Sequence, residues 1–228
     1  GGDHIDAMVE VFPSVLRGFG INMAVWGVAL VAIALWALLI AVLRTLRGPW
    51  FTPLRVFAVV YIDLLRGLPS LLMVLLFGFG VPALQIPGLP RSSLFWGAMA
   101  MVLSYSAYAA EVYRSGMDAV HDGQGAAAKA LGLSQWQSLR YAILPQAIRN
   151  VIPSLLNLAV ALQKDVALLS VLGVRDAVRE AQIFTARTFN YSSLVAAALL
   201  FLVATIPMAR LTDYVTRRDR ERRLQKTA

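Results

Sequence analysis

The run INMAVWGVALVAIALWALLIAVL, residues 21–43, contains no charged side chain and is bounded by Arg44 and Arg47. A helix of about 20 apolar residues crosses the roughly 30 Å hydrocarbon core of a bilayer. Few other environments accept such a stretch, because a soluble helix of this length needs a polar face. With 58% hydrophobic and only 15% charged residues, the rest of the chain has the same character. Five apolar segments predict five transmembrane helices, at about 21–43, 60–82, 94–111, 151–173 and 192–211, in a single domain covering residues 1–228.

The first run follows an acidic segment and is longer than the apolar stretch of a cleaved leader, so it is expected to be retained. The Gly-Gly opening leaves the native N-terminus open. Orientation comes from the basic residues, which accumulate in cytoplasmic loops. With the N-terminus outside, the inner face receives Arg44, Arg47, Arg55, Arg66, Arg114, Lys129, Arg140, Arg149, Arg210 and the arginines of the tail RRDRERRLQK. The outer face receives only Arg17, Arg91, Arg175, Arg179 and Arg187. This asymmetry predicts N-terminus out and C-terminus in. The formal charge of +8 then lies mostly on one membrane face, where the tail suits anionic lipid headgroups and nucleic acid is not required.

Several chemistries are missing. Without cysteine there is no disulfide, thiolate nucleophile or thiolate metal site, and His4 and His121 are far apart. No G-x-x-x-x-G-K-[ST] loop is present to cradle a nucleotide. No enzyme activity, catalytic residue, metal or cofactor is expected in this chain.

The longest cytoplasmic connection, about residues 111–149, is the most informative. Alanines 126–128, Lys129, Ala130 and Leu131 favour a helix, and Gly132 suits the position just past its end. Ser134 and Gln137 have the spacing of a capping box, opening a second helix that Pro145 should end or kink. A helix-turn-helix for DNA has the same local pattern. It would need a third packed helix and free access to a groove, whereas both ends of this loop run into spanning segments.

At this loop the chain resembles the permease subunits of bacterial ABC importers. Their motif is Glu-Ala-Ala, three residues, Gly, nine residues, then Ile, one residue and Leu-Pro. Ala127, Ala128, Gly132, Leu144 and Pro145 fill matching positions, while Ala126 replaces the usual Glu and Ala142 the usual Ile. The resemblance narrows to the polar amino acid branch through LLRGLPSLL, with Arg66, Gly67 and Pro69, and through Ala107, Tyr108, Glu111 and Arg114, followed by Gly123 and Gln124. LPQAIRN and KDVALLSVLGV complete it, over residues 61–174.

The resemblance implies an all-α membrane protein with the type I ABC importer permease fold, in a prokaryotic inner membrane. It implies a translocation pathway for a polar amino acid or related small zwitterion, shared with a second copy of the chain or a homologous permease. A cytoplasmic ABC ATPase dimer would bind the ATP, and an extracytoplasmic binding protein would deliver the solute. Gly123, Gln124, Ala127, Ala128, Lys129, Leu131 and Gly132 would form the helix that docks on the ATPase. Its small side chains allow close backbone approach. The plain alternative is that this helix packs on its own bundle.

Gln163, Lys164 and Asp165 interrupt the fourth apolar run, roughly 18 Å along a helix from Val151 and so near mid-membrane. Polar groups at that depth face a bundle interior or a water-filled cavity. Lys164 and Asp165 point about 100° apart on a helix, so each needs its own partner. With Glu111 and Arg66 they are candidates for the pathway or its gate. They could instead form buried pairs with Glu111, Arg66 or Asp63, or mark a helix break whose backbone lines a cavity. Met73 and Leu68 stand where the branch has Gln and Thr, which leaves room for a less polar solute. An ion-coupled secondary carrier resting on Lys164 and Asp165 is the nearest alternative. A membrane-embedded enzyme would need clustered carboxylates or histidines that the sequence lacks.

Overall fold

The structure, a computed structural model, describes residues 2–120 and 122–227 and is helical throughout. Its elements are α1 (Gly2–Thr45), α2 (Thr52–Gly67), α3 (Ser70–Leu75), α4 (Val81–Ala83), α5 (Ser93–Asp118), α6 (Asp122–Ala130), α7 (Gln135–Ser138), α8 (Leu144–Asp165), α9 (Ala177–Thr188) and α10 (Ser192–Thr227). A π turn, Leu76–Gly80, joins α3 to α4, and another, Leu139–Ile143, joins α7 to α8. A 3-10 segment, Val166–Leu172, continues α8.

The long α1 exceeds the segment read from its apolar run. Its 44 residues reach about 66 Å at the α-helical rise, roughly twice the membrane core. Residues 21–43 form the apolar half. Ala7, Val11 and Val15 of the other half bury against Ala177, Ala181 and Phe184 of α9 and Ala196 and Ala197 of α10, a small core separate from the main one.

The main core gathers around α5, which packs against α1, α2, α3 and α8. Close approach depends on small residues: Ala100, Ala107, Ala109 and Ala110 of α5 are fully buried. At Gly116 a Cβ would lie 2.8 Å from the Ala147 carbonyl oxygen of α8.

Two expectations need correction. The segment expected to span at 60–82 is not one straight helix. It bends by 103° between the helices covering Pro49–Gly67 and Ser70–Ala83. The cause is local: Pro69 forces the preceding Leu68 into an extended conformation, ψ 134°. Pro145 does not end the helical stretch, which runs through Gln135–Leu172, but the α-helix gives way to a π turn, Leu139–Ile143, just before it. It occupies the first turn of α8, where a missing N–H costs little, and the π turn before it takes up the mismatch.

Three helical stretches are long and apolar enough to cross a membrane, Gly2–Thr45, Gln135–Leu172 and Ser192–Lys226, and the bent pair makes a fourth if counted as one span. The 26-residue α5 is long enough, but Ser104, Tyr105, Ser106 and Tyr108 dilute its apolar character. Ser104, Tyr105 and Ser106 are buried among neighbouring helices, while Tyr108 is exposed.

Candidate functional site

Two regions hold the candidate residues: the loop that carries α6 and α7, and a polar band inside the helix bundle.

The loop turns as its residues dictate. Gly132 takes a left-handed φ of 78°, open to glycine at little cost. Its N–H donates to the Lys129 carbonyl at 2.9 Å and the Leu133 N–H to the Ala128 carbonyl at 3.1 Å, the paired closure of a Schellman motif. Two residues on, the Ser134 hydroxyl accepts from the Gln137 N–H at 3.2 Å while the Gln137 side chain accepts from the Ser134 N–H at 2.9 Å. This reciprocal box fixes the start of α7. The turn is therefore defined by two caps, each worth about 1 kcal/mol.

Within α6, Ala128 alone among Gly123, Gln124, Ala127, Ala128 and Lys129 is buried; the other four are exposed, as is Gly132. Leu131 is 82% exposed and Trp136 58% exposed beside it. Gln146 Nε2 meets Gln124 Oε1 at 3.5 Å, a thin tether to α8. Ala128 turns toward the bundle, while Ala126 and Ala127 of α6, and Leu131 just past its end, face outward.

The three polar residues of the fourth run radiate in different directions. Gln163 is fully buried and accepts from the Thr205 hydroxyl of α10 at 2.6 Å. Asp165 is half-buried and accepts from the Tyr105 hydroxyl of α5 at 2.5 Å. Lys164 is exposed and makes no ion pair among the described residues. The expected pairing of Lys164 and Asp165 with Glu111, Arg66 or Asp63 is thus not formed. The α-helical stretch ends at this point: α8 stops at Asp165 and passes directly into the 3-10 segment. Around this band Ser104 Oγ, Ser106 Oγ and Gln163 Nε2 are enclosed without a hydrogen-bond partner among the described residues. Such a group costs about 1–3 kcal/mol.

Glu111 belongs to a different cluster. It pairs with Arg44 of α1 at 2.5 Å and Arg114 of its own helix at 2.8 Å, with Arg66 of α2 at 4.0 Å. The Arg66 guanidinium also lies over the Tyr108 ring, 5.8 Å from its centre. Glu111 is only 19% exposed, so this carboxylate joins α1, α2 and α5 at one end of the bundle. Met73 is buried in the main core, so the replacement of a polar residue there says nothing about a solute's surroundings.

Sequence reasoning missed Tyr105, Thr205 and Asn22. Asn22 is fully buried and donates through Nδ2 to the Val166 carbonyl at 3.1 Å and to Asp176 Oδ2 at 3.0 Å. The available signal was an amide at the start of an otherwise apolar run, which needs a partner at that depth.

The family model described as binding-protein-dependent transport system inner membrane component matches residues 49–221. The glutamate/aspartate import permease protein GltK of Escherichia coli is 31% identical over 93% of this chain and 96% of its own length. The arginine transport system permease protein ArtQ of Bacillus subtilis is 30% identical over 93% and 95%. Among solved structures, the crystal structure of an amino acid ABC transporter with histidines superposes with a TM-score of 0.80 at 31% identity, covering 92% of this chain and 96% of that one.

Proposed function

Because this chain belongs to the family of binding-protein-dependent transport system inner membrane components, we propose that it forms one half of the pathway through which an ATP-driven importer moves a polar amino acid or related small zwitterion. It is an amino acid ABC transporter permease of the prokaryotic inner membrane, multi-pass, with the all-helical type I permease fold. The proposal extends this to five spans, the second being the bent pair and the third α5, with the N-terminus outside and the C-terminus inside. The charge asymmetry of the loops supports that orientation.

The observation that carries the coupling role is the outward face of α6. A short helix with small side chains, a glycine closure and an 82% exposed Leu131 lies outside the apolar segments and buries almost nothing of its own. It fits a groove on a cytoplasmic ABC ATPase dimer that binds the ATP, with Gly123, Gln124, Ala127, Lys129, Leu131 and Gly132 at the contact. Ala126 offers no charge there, so contact rests on shape, Lys129 and backbone groups.

Within the membrane, Asp165 holds α5 through Tyr105, while the unpaired Lys164 borders the pathway. There its ammonium suits the carboxylate that every amino acid carries. Glu111, with Arg44, Arg66 and Arg114, holds the cytoplasmic ends of α1, α2 and α5 together as a gate. One chain cannot enclose a passage, so a second copy or a homologous permease completes it, and an extracytoplasmic binding protein delivers the solute.

Affinity purification of the tagged chain from its native membrane in mild detergent, with mass spectrometry of its companions, tests the reading. A co-purifying ATPase with a nucleotide-binding loop is the expected result. A stable chain recovered without any ATPase would contradict it.

A further inference from the structure

We infer that Asn22 is a positioning residue that ties the outer helix α9 to the backbone beside Asp165, so that movement of α9 reaches the polar band in the membrane. The inference rests on the importer reading. Asn22 spends both N–H groups of its amide and one acceptor direction of its oxygen on two other elements. Its Nδ2 donates to Asp176 Oδ2 at 3.0 Å and to the Val166 carbonyl at 3.1 Å, and its Oδ1 accepts from the Ala177 N–H at 3.1 Å. Asp176 is fully buried, and its other oxygen caps α9 by accepting from the Arg179 N–H at 2.8 Å.

One turn before Asn22, Gly18 lets α1 press directly on the same point. A Cβ there would lie 2.3 Å from the Asp176 carbonyl carbon. The start of α9 is therefore seated on α1 with no slack. Val166 follows Asp165, whose carboxylate takes the Tyr105 hydroxyl of α5. A path of bonds, buried at Asn22 and part-buried at Asp165, runs from α9 through Asn22 to Val166, Asp165 and α5. Outside this seat α9 is charged and accessible: Arg179 and Arg187 are exposed and Arg175 pairs with Glu180 at 2.8 Å.

The exchange Asn22→Asp with Asp176→Asn separates the two halves of the joint. The new amide at 176 still caps α9 and donates to the new carboxylate at 22, which still accepts the Ala177 N–H. The Val166 carbonyl loses its donor and faces a carboxylate oxygen in its place. The test compares this double variant with the unaltered permease complex, purified with its ATPase and placed in nanodiscs for ATPase activity without solute. Uptake is measured in cells fed an equimolar mixture of the twenty amino acids, their pools read by mass spectrometry.

The exchange should keep complex yield and solute-free ATPase within about twofold while uptake falls about tenfold, the size of an ordinary coupling between sites. Uptake equal to the unaltered complex would overturn the joint. So would a parallel fall of yield, ATPase and uptake, which marks a purely structural contact. Failure of the unaltered complex to accumulate any amino acid would overturn the importer reading, and the joint with it.

Discussion

Gly116 and Gly132 are both glycines near the loop that carries α6, and they are there for opposite reasons. Gly116 is a matter of space: its missing Cβ lets α5 and α8 cross, with Val151 Cγ1 at 2.3 Å and the Ala147 carbonyl oxygen at 2.8 Å from where it would be. The Val151 methyl can rotate away, but the carbonyl belongs to a helix. Gly116→Ala should cost about 1–3 kcal/mol, as overpacking does, read as a lower melting temperature and lower yield in detergent. Gly132 has nothing within 4 Å of its Cβ position, so its φ of 78° is the constraint. Gly132→Ala should cost about 1 kcal/mol and leave transport largely intact. Gly132→Glu adds bulk and charge at the outward face, and should leave ATP hydrolysis while abolishing uptake. Normal uptake by that variant would remove α6 from the coupling role.

At the scale of the element, what the sequence made legible follows from how local the cause is. The Schellman closure at Gly132 and the box at Ser134 and Gln137 depend on neighbours a few residues apart, and both were readable as spacing. The bend at Leu68–Pro69 was equally local, yet the apolar residues on either side masked it. The partners of Gln163 and Asp165 were not readable, since Thr205 and Tyr105 sit on other helices and only the folded bundle brings them near. The two members of the Lys164–Asp165 pair should consequently separate on mutation. Tyr105→Phe leaves Asp165 without its hydroxyl donor and should lower complex yield. Lys164→Gln removes no hydrogen bond or ion pair among the described residues, so it should assemble normally and change the rate or selectivity of uptake. Equal damage to assembly from both would contradict the division of roles.

At the scale of the whole molecule, the apolar runs gave the class of protein and the loop motif its relatives. The depth of each helix is less legible, because α1 and α10 both run well beyond the apolar segments that announced them. Topology can be tested cleanly, since the chain has no cysteine. A single cysteine at Met8 should react with a membrane-impermeant maleimide from outside the cell, and one at Gln225 only after the membrane is opened. The reverse pattern would invert the whole assignment of faces, including which side α6 occupies. The central claim, that ATP hydrolysis by a partner drives inward movement through this chain, is tested most directly in proteoliposomes. These would hold the purified complex and its binding protein, with ATP sealed inside and labelled amino acids outside. The account predicts accumulation that requires internal ATP and is unchanged when ionophores abolish every ion gradient. Accumulation driven by an ion gradient without ATP would contradict it and make the chain an ion-coupled carrier.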